Sequence, residues 1–195
     1  TYTVTLAVGG ERLSQDVVVR GDPRIEMSER DFRAQFEALV ALRDLQTRMN
    51  RAVGVAESVL EQLGSVKKAV GRAGLGENGD LVRDIERAAK EVQAVSEEHL
   101  RRPPPRMNYR QRPRVSEELQ RLSRSIGGVE APPTDPQMER LASLRAETDA
   151  AIAALDRVIE TTIRQLNEKL DEHPHVMIDA GQLGRRIVSD GAGGS

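Results

Sequence analysis

From Leu42 to Val70 the chain places an apolar residue every three or four positions: Leu42, Leu45, Met49, Ala52, Ala56, Val59, Leu63, Val66 and Val70. This spacing puts all of them on one stripe of an α-helix, as at the a and d positions of a coiled coil. A helix that long is stable only when the stripe is covered, because most helical stability in proteins comes from packing an amphipathic face. The feature therefore demands partner helices. Phe32 and Phe36 extend the stripe upstream, and Ser28 with Asp31 supplies an N-cap and a capping-box acid. Gly54 and Gly64 interrupt the pattern. Each costs about 1 kcal/mol against Ala, unless a neighbouring helix approaches closely enough to need a missing Cβ.

The partners are legible downstream. Gly71, Gly74, Gly76 and Gly79 break the first helix; Leu81, Ile85, Ala88, Val92 and Val95 then mark a second, from Asp80 to about Leu100. Pro103-Pro104-Pro105 cannot continue a helix. A shorter helix from Val115 to Ile126 carries Leu119, Leu122 and Ile126 and stops at Gly127-Gly128. Thr134-Asp135-Pro136 is a strong helix start. The last helix is expected to run to about Glu172, with a seam of Leu141, Leu144, Thr148, Ala151, Leu155, Val158, Thr162, Leu166 and Leu170. Ile152, Ile159 and Ile163 widen that seam, so it should face more than one neighbour, in the same chain or in another. The expected fold is mainly α: an antiparallel bundle of two long and two shorter helices over 22–178, with an irregular Arg/Pro-rich loop at 101–114 and a flexible, glycine-rich tail at 179–195.

Residues 1–21 follow a different period. Tyr2, Val4, Leu6 and Val8 alternate with Thr1, Thr3, Thr5 and Ala7, and Gly9-Gly10 leads into a second run ending in Val17-Val18-Val19. The pattern is a β-hairpin. A lone hairpin is marginal in water, and the sequence opens on Thr1 with no lead-in. The expectation is that these are the closing strands of a β-sandwich whose other strands lie upstream; docking of the hairpin on the helices is the alternative.

Composition narrows the chemistry. Aromatic residues make up only 2% of the chain and Trp is absent, which favours thin Leu/Val/Ile/Ala packing over a deep ligand cleft. There is no Cys, so disulfides and thiolate chemistry are excluded. Net charge is −2 with a pI near 6.0, so there is no global basic field to attract nucleic acid or an anionic membrane. No apolar run reaches the ~20 residues of a membrane-spanning helix. His173-Pro174-His175, beside Asp171 and Glu172, is a poor start for a tetrahedral metal site and reads as a helix stop. Glu57, Glu61, Glu147 and Asp156 read as solvated helix faces. Ser65 lacks the Gly-x-Ser-x-Gly elbow, and Gly71 to Gly76 lacks both the preceding strand and the Gly-Lys-Ser/Thr of a phosphate loop. No catalytic, cofactor-binding or metal-binding residue is assigned.

One contact site stands out. Arg101, Arg102, Arg106, Arg110, Arg112 and Arg114 surround Tyr109. Arginine with an aromatic can hold a single strand, and arginine with proline can enter an aromatic-lined groove. Glu97, Glu98, Glu117 and Glu118 flank the cluster. The plainer expectation is a rigid connection whose arginines pair with neighbouring acids or an adjoining domain, a protein partner coming next and nucleic acid last.

Thr1-Tyr2-Thr3-Val4-Thr5-Leu6 and Val17-Val18-Val19-Arg20-Gly21-Asp22-Pro23-Arg24 resemble a segment that follows the β-propeller in large BNR/sortilin-type repeat proteins, often labelled glycosyl hydrolases. The Val115–Ile126 helix, Ala131-Pro132-Pro133-Thr134 and Leu166-Asn167-Glu168-Lys169-Leu170 are similar to the stretch leading to that family's last helix. The resemblance runs from about Thr1 to Ile178; the Arg101–Arg114 loop departs from it in being richer in Arg and Pro. It implies a small β-sandwich closed by the hairpin, a C-terminal helical bundle, export to the periplasm or medium of a bacterium, and an accessory, non-catalytic role beside the upstream sandwich and propeller. It places no active-site residue in this region. A coiled-coil module that binds a partner or itself, with the Arg/Pro-rich loop as its contact, is the other reading.

Overall fold

The computed structural model describes residues 1–72, 80–100 and 113–171. Strands β1 (Tyr2–Val8) and β2 (Glu11–Val17) form an antiparallel hairpin. Helix α1 (Glu29–Arg72) is followed by α2 (Asp80–Val95), which ends in a π-helical turn over Ser96–Leu100. Then come α3 (Val115–Gly127) and α4 (Asp135–Val158), the latter continuing through a second π-helical turn (Ile159–Ile163) into α5 (Arg164–Leu170). The chain is thus a mainly helical bundle of two long and two shorter helices behind a two-stranded hairpin.

The start of α1 is set by its cap. The Ser28 amide and hydroxyl donate to Asp31 Oδ2 at 3.0 and 2.7 Å, and the Asp31 amide donates back to Ser28 Oγ at 3.3 Å. These bonds satisfy donors that the first turn leaves orphaned. The Ser28 hydroxyl, then its amide, hold the Asp31 carboxyl below the ordinary carboxylate range. The last long helix opens similarly, with the Thr134 amide donating to Gln137 Oε1 at 2.9 Å and Pro136 in its first turn.

Helices α2 and α3 lie end to end along α1 and run against it. Lys67 of α1 pairs with Glu86 of α2, while Gln35, near the start of α1, donates to the carbonyls of Ile126 (2.9 Å) and Val129 (2.7 Å) at the end of α3. Helix α4 then runs in the same direction as α1, with Arg48 meeting Asp149 at 2.6 Å. Opposite it, Glu91 meets Thr162 and Asp84 meets Lys169, so α2 is antiparallel to α4 and α5. The two long helices are therefore parallel to each other, and the broken α2–α3 rod is antiparallel to both.

The whole expected α1 seam from Leu42 to Val70 is buried, joined by Ala38 and Val55. Ile85, Ala88, Val92 and Leu100 face it from α2 and its π-helical turn, Leu119, Leu122 and Ile126 from α3, and Leu141, Leu144, Ala151 and Leu155 from α4. Each such Leu, Ile or Val stabilises the bundle by about 1.5–3 kcal/mol. Gly54 and Gly64 are exposed, with nothing within 4 Å of where a Cβ would stand, so no helix approaches closely there.

Three expectations need correction. Phe32 and Phe36 do not continue the seam: Phe36 is 67% exposed, and Ala38 takes over as the first buried residue of the stripe. The reason is that Gln35 and Leu39, not Phe36, face the end of α3, where Leu39 lies against Gly127. Val158 and Thr162 are only half-buried. The π-helical turn adds a residue to the helix turn, so Ile163 enters the core and Thr162 swings its hydroxyl to the Glu91 carboxylate. Finally, β2 ends at Val17, and Val18 and Val19 lie beyond the ladder.

Candidate functional site

The hairpin is closed by Gly9 and Gly10, whose φ values of 56° and 90° suit a type I′ turn. Its register pairs Tyr2 with Val17, Val4 with Gln15, Leu6 with Leu13 and Val8 with Glu11. Directly opposed residues share a face. One face therefore carries Tyr2, Val4, Leu6, Val8, Leu13 and Val17, with Glu11 and Gln15 among them, and is mostly apolar. The other carries Thr3, Thr5, Ala7, Arg12, Ser14 and Asp16, stitched by Thr3 Oγ1 donating to Asp16 (2.9 Å) and by a Thr5–Ser14 hydroxyl bond (2.9 Å). Every residue of both strands is exposed, on the apolar face as on the polar one.

The turn that joins this hairpin to α1 is locked. Asp22 accepts from the Arg24 amide (2.9 Å) and from its guanidinium (2.5 Å at the shortest), and the guanidinium holds the Asp22 carboxyl below its usual range. Gly21 sits under the Phe32 ring, where a Cβ would come within 3.1 Å of ring carbons. Phe36 lies one helical turn further on and is open. Among the described residues, ten of the twelve large apolar side chains left exposed fall before residue 37; the other two are Val129 and Met138. Unmet apolar surface is thus concentrated at the hairpin end.

The arginine cluster is only partly visible. Arg101, Arg102, Arg106, Tyr109, Arg110 and Arg112 lie outside the described residues, as do His173, His175 and the 179–195 tail. Arg114 is described and is half-buried. Its Nε donates to the Glu97 carbonyl at 2.7 Å and its amide to Glu117 Oε2 at 2.9 Å. It therefore ties the π-helical turn after α2 to the start of α3 and caps the latter, its guanidinium bonding a main-chain carbonyl and not the carboxylate expected of it.

A groove of about 490 Å³ runs between α1 and α3. Leu42 and Leu119 are buried in it, and Arg43, Gln46, Thr47, Gln120, Ser123 and Arg124 complete the lining. No carboxylate, histidine or nucleophile–base pair is among them, and Arg43 is bound to Asp44 at 2.8 Å. Ser65 is mid-helix, its hydroxyl donating to the Glu61 carbonyl at 3.1 Å. Glu57 and Glu61 are exposed, and Glu147 is ion-paired to Arg140 at 2.6 Å. Asp156 differs from the solvated group expected: it is half-buried, and burial, with Glu160 adding repulsion, pushes its carboxyl above the ordinary value. Asp84 is held low by the hydrogen bond from Lys169. Among the described residues no three metal-ligating side chains cluster, and no helix is long and apolar enough to cross a membrane.

The wide stripe on the last helix is used inside the chain: Ile152 and Ile163 are buried and Ile159 packs against the core. By class, then, this is a helical bundle bearing an amphipathic hairpin with an uncovered face. In comparisons with known proteins, no family model, no curated protein and no solved structure matched the chain. The likeness to propeller proteins rests on the short motifs alone.

Proposed function

We propose that the chain is a non-catalytic accessory domain of a larger exported, glycosyl-hydrolase-like β-propeller protein, joined to an upstream β-sandwich through its hairpin. The observation that carries this reading is the hairpin's uncovered apolar face, from Tyr2 at 67% exposed to Val17 at 44%. Two strands alone do not repay their ordering, whereas a hairpin within a larger sheet buries that face against a second layer. The exposed Phe36 beside the junction extends the same surface. The rigid Asp22–Arg24 turn and the capped start of α1 would transmit a fixed orientation from sheet to bundle. The bundle's contribution is mechanical: its buried seams make a stiff support.

The test is an immunoblot of the source cells and their medium with an antibody to this chain. The expected result is a band far heavier than 21.5 kDa, outside the cytoplasm. A cytoplasmic band at 21.5 kDa would sink the proposal and turn attention to the Arg/Pro-rich stretch.

A further inference from the structure

A two-residue turn is closed by a hydrogen-bonded pair, here Val8 with Glu11. Hydrogen-bonded and non-hydrogen-bonded pairs then alternate along an antiparallel ladder. The amides and carbonyls of Tyr2, Val4, Leu6 and Val8 are accordingly spent on β2. Those of Thr3, Thr5 and Ala7 point away from it, along the outer edge of β1, and those of Arg12, Ser14 and Asp16 along the outer edge of β2. An uncharged, unbroken edge is a template for another strand, and β1 carries neither charge nor proline.

The residues of β1 also form a near-palindrome about Thr5: Val4 answers Leu6, Thr3 answers Ala7 and Tyr2 answers Val8. A two-fold axis through Thr5 sets β1 antiparallel to β1 of a second copy, each residue opposite one that suits it. Thr5 then meets Thr5 and Thr3 meets Ala7, through the amides and carbonyls that β2 leaves free. Val4 meets Leu6 and Tyr2 meets Val8 at the non-hydrogen-bonded positions, where side chains come closest. Thr–Thr pairs and apolar pairs of this kind stabilise neighbouring strands. No charge is opposed. The same operation on β2, about Ser14, joins Arg12 to Asp16 favourably but sets Glu11 against Val17 and Gln15 against Leu13. Asp16 is moreover already held by Thr3. The β1 edge is thus self-complementary along its whole length, and the β2 edge only in part.

We infer that the outer edge of β1 is a self-association surface: two copies of this chain join β1 to β1 about a two-fold axis through Thr5, extending each two-stranded hairpin into one sheet in the order β2–β1–β1–β2. Such an interface is isologous, as a closed dimer requires, and the sheet ends on charged β2 strands that discourage further growth. It also has enough strands for a sheet with an apolar face to be stable, which a lone hairpin does not. Directly opposed residues share a face, so Tyr2, Val4 and Leu6 of both copies lie on one side. That side stays open to a second layer, and the inference therefore stands apart from the accessory-domain reading.

Single cysteines introduced into this chain, which has none of its own, test the register. Hydrogen-bonded partners in an antiparallel pair have Cα atoms about 5.5 Å apart, within the span of a disulfide. Under mild oxidation Thr5→Cys should give a covalent dimer of twice 21.5 kDa on a non-reducing gel. Its yield should exceed that of Thr3→Cys or Ser14→Cys at least about tenfold, since neither of those meets its own copy in this register. Thr5→Pro removes an outward amide without touching the ladder to β2. It should sediment as a monomer at concentrations where the unaltered chain sediments as a dimer. Preferential cross-linking through Ser14→Cys would move the contact to β2 and overturn the inference. Equal cross-linking through Thr3→Cys and Thr5→Cys would mean a different register and overturn the two-fold pairing. A dimer that persists in Thr5→Pro would be held elsewhere, and an unaltered chain that stays monomeric up to ~1 mM would have no such edge contact; either result sinks the inference. None of these outcomes touches the accessory-domain reading.

Discussion

In the bundle every apolar stripe meets another. Leu42 to Val70 of α1 close against Ile85 to Leu100, against Leu119 to Ile126 and against Leu141 to Leu155, and the largest of these side chains are almost wholly excluded from solvent. In the hairpin the alternation is just as regular, yet Tyr2, Val4, Leu6 and Val8 are left exposed. The two regions obey the same rule of patterning with opposite outcomes. A bundle can cover its own stripes because helices pack on helices within one chain; a two-stranded sheet has no second layer to close on. The difference leaves the apolar side chains of the hairpin exposed and those of the bundle buried.

That contrast can be broken or sharpened by substitution, beginning at the bundle core. Leu155, fully buried in α4, replaced by Asp should cost more than about 4 kcal/mol and abolish the helical circular dichroism signal at room temperature. Retained helicity would show that the last helix is not core. Gln35→Ala removes the amide that donates to two carbonyls at the end of α3 and should lower stability by about 1–2 kcal/mol in denaturant titration. No change would mean that the α1–α3 corner is held by packing alone.

Smaller effects follow on the exposed face of α1. Gly54→Ala and Gly64→Ala should each raise stability by about 1 kcal/mol, since a Cβ meets nothing at either position. Loss of stability would reveal a close neighbour. Asp156→Asn should raise the melting temperature at pH 7 by the equivalent of about 0.5 kcal/mol. The sign follows from its raised pKa: Asp156 favours the fold below its ordinary value near 3.8 and loses that contribution as pH rises through the folded value. The gain from Asn should therefore vanish below about pH 4. Asp84, held low by Lys169, behaves oppositely, its contribution lasting until pH falls through its folded value.

The smallest expected effect is at the hairpin. Leu6→Asp, or removal of residues 1–20, should leave the bundle's melting temperature within the ~0.5 kcal/mol scatter of surface changes. A substantial drop would mean that the hairpin supports the helices and that the contrast between the two regions is false.

Much of this architecture is local and was therefore readable in advance. The Leu42–Val70 stripe, the Ser28–Asp31 cap, the Thr134 start and the Gly9-Gly10 turn depend on spacing and on backbone preferences within a few residues. So does the amphipathic hairpin, whose apolar face is the basis of the candidate site. What lay beyond the sequence depends on which surfaces meet. Phe32 and Phe36 keep the helical period but fall past the last neighbour that could cover them, because Gln35 and Leu39 claim the end of α3. The π-helical turn at Ile159–Ile163 puts Ile163 in the core and leaves Thr162 half-buried, its hydroxyl bonded to Glu91 on another helix. The parallel run of the two long helices, and the role of Arg114 as a tie to Glu97 rather than a free basic group, likewise belong to tertiary structure. Periodicity determines that a face must be buried; only the arrangement of its neighbours decides what buries it, and in the hairpin no neighbour within the described chain does.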